Sequence, residues 1–104
     1  MEKKPKLFTK IRAVVAKIPK GKVTTYGAIA EFLGTRDARL VGYAVYGNQD
    51  PAIPCHRVIK KEGLLAEKYS LGGWPEQKWR LQKEKITFLS EKQVDMEKHF
   101  WQPS

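Results

Sequence analysis

The residues best suited to chemistry lie together in the hexapeptide Ile53-Pro54-Cys55-His56-Arg57-Val58. It holds the only cysteine of the chain and one of two histidines. A thiol becomes a strong nucleophile once it loses its proton, but an unassisted cysteine is only a few per cent ionised at about pH 7. Adjacent side chains of an extended segment point to opposite faces, so a bridging water suits Cys55 and His56 better than a direct hydrogen bond. The hexapeptide alone leaves two interpretations open, a reactive thiol or a small buried hydrophobic side chain.

The chain carries a large excess of positive charge, with 20 Lys and Arg against 11 Asp and Glu, a net +9. Such an excess on 104 residues suits a polyanion, most simply nucleic acid, although charge alone does not separate DNA from RNA or anionic lipid. An apolar content of 41% predicts one globular domain over residues 1–104. No apolar run approaches the roughly 20 residues that span a bilayer, so no membrane partner is expected.

A single cysteine excludes an internal disulfide and a CxxC metal site. The first six residues hold no hydrophobic stretch that would serve as a secretion signal. We therefore expect a protein without metal or cofactor in a reducing compartment, the cytoplasm and nucleoid of a prokaryote or the nucleus of a eukaryote.

Two short helices in the middle of the chain predict a DNA-binding unit. The first is expected at Thr25 to Leu33 and the second at Ala38 to Tyr46. Each begins at a Thr or Asp cap and is followed by a glycine. Together they form a helix-turn-helix, whose second helix normally enters a DNA groove with Arg39 as its natural probe. An ordinary helical hairpin is the alternative.

The flanking segments predict the rest of a mainly α fold with a small β wing. Residues 1–6 are expected to be a frayed arm, followed by an amphipathic helix with Arg12 on its wet side. Val58-Ile59 and Leu64-Leu65 predict a hairpin resembling the wing of a winged helix. Later expectations are a helix at Glu76 to Lys83 with Trp74, Lys78 and Leu81 inward, two short strands around Ser90-Glu91-Lys92, and an aromatic tail packed on the body.

Four segments in order resemble one family, the O6-alkylguanine-DNA alkyltransferases, in the carboxy-terminal domain that binds DNA and carries the active site. The segments are Ile18-Pro19-Lys20-Gly21-Lys22-Val23-Thr24-Thr25-Tyr26-Gly27, Ala38-Arg39-Leu40-Val41-Gly42-Tyr43-Ala44, Gly47-Asn48 and Pro54-Cys55-His56-Arg57-Val58. The resemblance runs from about Phe8 to Phe88.

The resemblance implies single-turnover chemistry on double-stranded DNA that contains O6-alkylguanine. Cys55 would take the alkyl group from guanine O6, and His56 would act through a water as the base. Glu84 would orient that histidine, while Asn48 would hold the turn between the recognition helix and the active-site loop. A carboxylate behind a histidine behind a thiol is the usual logic of an activated nucleophile.

The resemblance also implies base flipping, because guanine O6 is inaccessible inside a stacked duplex. Arg39 would enter the stack from the minor groove, and Tyr26 would press on the neighbouring phosphate. Implied DNA contacts are Tyr26, Arg39, Gly42, Ala44 and Arg57, and the implied alkylguanine pocket comprises Tyr26, Pro54, Val58, Tyr69 and Ser70. Within that pocket, the backbone carbonyls of Cys55 and Val58 would read the exocyclic amine.

We expect the family's usual amino-terminal domain to be absent, because the size and tail are similar to those of alkyltransferase-like proteins. Those relatives bind alkylated guanine, but tryptophan or alanine replaces their cysteine, and they flag the lesion for other repair proteins. The alternative to alkyl transfer is therefore a lesion sensor with an idle cysteine and a repair-protein partner. A winged-helix transcription regulator and a thiol hydrolase are weaker alternatives. We expect a monomer.

Overall fold

The computed structural model describes residues 3–48, 50–66 and 72–104. Within them, the α-helices and β-strands are α1 (Lys3–Ala16), β1 (Thr24–Thr25), α2 (Tyr26–Leu33), α3 (Ala38–Tyr46), β2 (Val58–Ile59), α4 (Gly73–Lys83), β3 (Phe88–Ser90), β4 (Gln93–Val94) and α5 (Met96–His99). Short 3₁₀ turns cover Cys55–Arg57 and Lys61–Gly63. The predicted fold class, mainly helical with small β elements, is confirmed.

The first three helices pack around one hydrophobic core. Its fully buried members include Ile11 and Val15 of α1, Ile29 of α2, and Val41 of α3, and Cys55 belongs to the same cluster. The expected frayed arm is wrong from residue 3 onward, because α1 already begins at Lys3. Lysine favours helix, and Pro5 falls in the first turn, where its missing N–H breaks no intrahelical hydrogen bond.

The helix-turn-helix has the predicted boundaries and caps. Thr25 Oγ1 accepts from the Ala28 N–H at 3.0 Å at the start of α2, and Gly34 ends that helix in a left-handed conformation with φ of 79°. Asp37 Oδ1 accepts from the Arg39 N–H at 3.0 Å at the start of α3. Local side-chain chemistry therefore determines where these helices begin and end.

The predicted hairpin between Val58-Ile59 and Leu64-Leu65 is wrong. Val58 and Ile59 pair in parallel with Thr24 and Thr25, while Leu64 bridges to Gln93. Both residues of β2 are fully buried, which a two-stranded solvent-facing wing would not allow. A two-residue strand takes whichever partner the tertiary fold offers, and here that partner is the segment entering α2. The parallel pairing thus connects the segment after Cys55 directly to the start of the helix-turn-helix.

Val23 and the C-terminal half form a second core beside the first, made of Val23, Ile59, Leu65, Leu81, Ile86 and Val94. The two expected strands pair antiparallel as β3 and β4. The tail packs back as predicted, since the Trp101 N–H donates to the Val23 carbonyl at 2.7 Å and Phe100 bridges Val23. Helix α4 begins at Gly73, three residues before the predicted start at Glu76, and ends at Lys83 as predicted. None of the helices in the described ranges has the length and apolar character to cross a bilayer.

Candidate active site

Cys55 opens a 3₁₀ turn between Pro54 and β2. The Arg57 N–H donates to the Pro54 carbonyl at 3.0 Å, and the Val58 N–H donates to the Cys55 carbonyl. The segment is therefore turned rather than extended. The hydrogen bonds of the two side chains diverge: Cys55 reaches the end of α3, whereas His56 reaches the end of α4.

Cys55 is buried, with only 7% of the residue's surface exposed. Asn48 Nδ2 donates to Sγ at 3.2 Å, and Sγ donates to the Val45 carbonyl at 3.7 Å. Burial raises the pKa of the Cys55 thiol, while the Asn48 hydrogen bond and the Arg12 charge oppose part of that rise. The resting group is consequently the protonated thiol.

Asn48 links the recognition helix α3 to this turn through its amide group. Besides Sγ, its Nδ2 reaches the Asp50 carbonyl at 3.1 Å, and its Oδ1 accepts from the Asp50 N–H at 3.2 Å. The amide orientation follows from these contacts, because a flipped amide would set Nδ2 against the Asp50 N–H.

Glu84 holds both His56 and Arg57. His56 Nε2 lies 2.9 Å from Glu84 Oε2, and Arg57 donates through Nε and a terminal nitrogen at 2.9 and 2.7 Å. Burial lowers the pKa of His56 against the opposing effect of Glu84. Burial alone would raise the pKa of Glu84, but its hydrogen bonds from Arg57 and His56 outweigh burial and lower it. A neutral imidazole thus donates Nε2–H to a carboxylate, which leaves Nδ1 as the acceptor.

The C-terminus of α4 positions Glu84. The Ile86 N–H donates to the Leu81 carbonyl at 3.1 Å and the Lys85 N–H to the Gln82 carbonyl at 2.9 Å, the pattern of a Schellman cap. Lys85 takes the left-handed conformation, with φ of 69°, that glycine usually supplies. Glu84 is therefore the C-cap residue of α4, and from there its carboxylate reaches His56 and Arg57.

Gln77 supports the same turn and was not predicted from the sequence. Its Nε2 donates to the carbonyls of His56 and Val58 at 3.1 and 3.0 Å, and its Oε1 accepts from the Ala66 N–H at 2.9 Å. It is fully buried, although the sequence placed Lys78 on this inner face. The signal in the sequence was its helical spacing from the apolar Leu81.

Arg12 is a second residue that the sequence did not predict. It was expected on the wet side of α1, but its Nε donates to the Ala44 carbonyl at 3.1 Å, and its charge acts on Cys55. No pattern in the sequence signals this, because Arg12 and Cys55 meet only through the packing of α1 on α3.

Tyr26 and Arg39 lie on a shallow groove of about 270 Å³. Its lining is Tyr26, Ala38, Arg39, Gly42, Tyr43 and Tyr46. Tyr26 packs edge-on against Tyr46 with ring centres 6.5 Å apart, and burial is the main cause that raises the pKa of its phenol. Arg39 is 81% exposed and pairs with Asp37 at 3.1 Å, so its guanidinium is held at the surface.

Several predicted site residues lie elsewhere. Arg57, expected at the DNA, directs its guanidinium inward to Glu84 and to the Ile18 carbonyl at 2.7 Å, and its side chain is 15% exposed. Ala44, also expected at the DNA, is fully buried in the helical core, because it occupies the inner face of α3. The Val58 side chain is likewise buried in the core. Its carbonyl and that of Cys55 each accept a hydrogen bond from within the protein.

Of the predicted pocket, Pro54 directly precedes the turn, whereas Tyr69 and Ser70 lie outside the described residues. No group of three histidine, cysteine, aspartate or glutamate side chains within 3–48, 50–66 and 72–104 is arranged to hold a metal ion.

Comparison with known proteins identifies the family of this chain. Residues 6–86 match the DNA-binding domain of 6-O-methylguanine DNA methyltransferase. The chain belongs to this family. A relative of similar length is alkyltransferase-like protein 1 of Schizosaccharomyces pombe, 35% identical over 102 residues that cover 92% of this chain and 94% of that protein.

Other relatives carry different names. The DNA base-flipping protein of Vibrio parahaemolyticus is 40% identical over 101 residues, which cover 92% of this chain and 96% of that protein. The methylated-DNA–protein-cysteine methyltransferase of Methanocaldococcus jannaschii is 38% identical over 87 residues, 83% of this chain but 50% of that protein.

The structure closely follows that of S. pombe Atl1 solved with damaged DNA containing O6-carboxymethylguanine. The TM-score is 0.84 at 31% identity, and the match covers 95% of this chain and 97% of that one. The alkyltransferase fold expected from the resemblance is therefore confirmed, and with it a DNA-binding domain of this family.

Proposed function

We propose that this protein binds duplex DNA, flips out O6-alkylguanine and transfers the alkyl group irreversibly to Cys55. The observation that carries the proposal is the arrangement of Asn48, Cys55, His56 and Glu84 around one turn, with the hydrogen-bond lengths given above. Family members named as methyltransferases add support.

The transfer follows from the protonation states of the site. Before reaction Cys55 is a thiol and His56 is a neutral imidazole. The thiol proton moves through one water to His56 Nδ1, and the Glu84 carboxylate stabilises the imidazolium that forms. The thiolate attacks the alkyl carbon, a C–S bond forms and the C–O6 bond breaks. Guanine leaves as its anion and takes up one proton, which the imidazolium returns. No step restores the thiol, so each molecule acts once.

Access to the sulfur requires an unstacked base, because Cys55 is nearly buried. In our proposal α3 lies in the minor groove and Arg39 fills the vacated position in the stack. Tyr26, which shares the groove with Arg39 and packs against the core cluster that contains Cys55, forms the wall between the DNA and the sulfur. Tyr69 and Ser70 complete the pocket in the proposal carried over from the resemblance.

A lesion sensor with an unreactive cysteine is the second candidate. It is favoured by the match to alkyltransferase-like protein 1 over 94% of that protein's length, and by the burial that keeps Cys55 protonated. In this role the protein would bind the lesion and present it to another repair protein.

Intact-mass measurement after incubation with an O6-methylguanine duplex separates the two candidates. Transfer predicts one added methyl group per molecule, located on the peptide that contains Cys55 and missing in Cys55→Ala. His56→Gln should retain lesion binding and slow methylation by roughly a hundredfold, since general base catalysis contributes at least about that factor. Tight lesion binding with an unmodified protein would reject transfer and leave the sensor.

The flipping role is tested with Arg39→Ala. Because Arg39 is exposed and its loss leaves the core unchanged, we expect weaker discrimination between damaged and intact duplex with little change in stability. Lys10→Ala, an exposed substitution on α1, is the matched control for the loss of one charge. Equal losses of affinity for damaged and intact DNA in Arg39→Ala would contradict flipping by this residue.

A further inference from the structure

A second cleft, of about 450 Å³, opens beside His56. It is lined by Lys20, His56, Trp79, Arg80, Lys83 and Glu84. It shares no residue with the groove that contains Tyr26 and Arg39. The His56–Glu84 pair therefore faces a surface distinct from the groove on α3.

The cleft is rich in positive charge, with Lys20, Arg80 and Lys83 among its six lining residues. Its one carboxylate, Glu84, already accepts two hydrogen bonds from Arg57 and lies against His56. The helix dipole accounts for basic residues in the last turn of α4, where Arg80 and Lys83 lie. It does not account for Lys20, which reaches the cleft from the turn after α1. Arg80 Nε also donates to Glu76 Oε2 at 2.9 Å, so Lys20 and Lys83 are the charges that the cleft offers to an anionic ligand.

Trp79 gives the cleft an aromatic wall. Its indole is 54% exposed, and Lys83 Nζ lies 4.4 Å from the ring centre. An exposed tryptophan with cationic neighbours has the composition of protein–protein binding sites, where aromatic and arginine side chains carry most of the affinity. An apolar side chain beside the acidic groups of a peptide would pack against this wall.

We propose that this cleft binds an acidic segment of a partner protein, with carboxylates at Lys20 and Lys83 and an apolar side chain against Trp79. Charge complementarity and the aromatic wall favour such a peptide. Since the recognition helix lines a different groove, the site would remain available while DNA is bound. A carboxylate in the cleft lies close to His56, so occupancy would also alter the imidazole of the proposed base.

The test is NMR titration of the full chain without DNA, using a capped peptide that alternates glutamate and leucine. Its glutamine–leucine counterpart is the neutral control, and single-stranded oligothymidylate supplies phosphate instead of carboxylate. We expect saturable shifts of the Trp79 indole and the His56 ring with the acidic peptide only, and a rise in the pH at which the His56 ring titrates.

Lys20→Glu combined with Lys83→Glu should weaken peptide binding roughly tenfold or more, from two lost attractions and two new repulsions. Lys10→Glu with Lys98→Glu changes the net charge equally at exposed positions outside the cleft, and should weaken binding less than twofold. Trp79→Ala should also weaken it.

An equal loss of peptide affinity in the two charge-reversed double variants would show that the peptide binds through general electrostatic attraction, and would overturn the proposed site. Shifts with oligothymidylate alone would overturn the protein partner in favour of a nucleic-acid strand. An absence of shifts with either probe would overturn the cleft as a binding site. None of these measurements uses Cys55, so failure of alkyl transfer would leave the result intact.

Discussion

Replacing Gln77 with leucine is expected to destabilise the fold by roughly 1–7 kcal/mol. The change removes three hydrogen bonds of 2.9 to 3.1 Å and leaves the Ala66 N–H and the carbonyls of His56 and Val58 without this partner. Each buried polar group left unsatisfied costs roughly 1–3 kcal/mol. Leucine has a similar size, so no large cavity forms, and its burial returns about 2 kcal/mol of the roughly 3–9 kcal/mol lost at the three groups.

Urea unfolding followed by circular dichroism measures this loss, and the melting temperature should fall by roughly 4–8 °C for each kcal/mol lost in a domain of this size. Gln82→Leu, on the exposed side of the same helix, should stay within about 0.5 kcal/mol of the parent. Gln77→Glu keeps an acceptor for Ala66 and removes both donors, so it should be at least as damaging as leucine. A loss below about 1 kcal/mol for Gln77→Leu, or a similar loss for Gln82→Leu, would refute the assignment of Gln77 as a structural tie.

Two further predictions concern stability. The folded-state pKa of His56 lies below its ordinary 6.5, so the unfolded chain binds more protons, and stability should decline as pH falls below that value. The folded-state pKa of Cys55 lies above its ordinary value of about 9, so the unfolded chain loses its thiol proton first, and stability should also decline above about pH 9. Urea midpoints measured across pH check the decline at acid pH and the decline at alkaline pH. Cys55→Ala should reduce the alkaline decline, and urea midpoints that do not change with pH would contradict both pKa shifts. Gly63→Ala should cost roughly 2 kcal/mol or more, because φ is +85° and the new Cβ would lie 2.8 Å from the Val94 carbonyl. Gly34→Ala, with φ of +79° and open space around it, should cost only the backbone strain of about 1 kcal/mol, and equal losses in thermal melts would rule out the contact.

The helix-turn-helix was predictable because its boundaries are encoded locally. Thr25 and Asp37 cap the helices that follow them, and Gly34 ends the first, each through contacts within a few residues. The cysteine motif was equally visible, since a single thiol beside a histidine stands out in any chain.

The partners of short strands were not predictable. Two residues of β2 cannot specify whether they pair with Leu64-Leu65 or with Thr24-Thr25, and burial of both faces decided for the latter. The start of α1 was not predicted for a related reason. A polar, basic segment such as residues 1–6 has the same composition whether it is a frayed arm or the first turn of a helix.

What the sequence determined by itself was the set of reactive groups and the two helices beside them, because capping and periodicity act over a few residues. Only the tertiary structure decided that Arg57 turns inward to Glu84 and that Gln77 holds the turn after Cys55. These contacts join residues about 20 to 30 positions apart. Whether a charged side chain reaches solvent or a buried carboxylate depends on how α4 packs against the turn, and no local pattern encodes that packing.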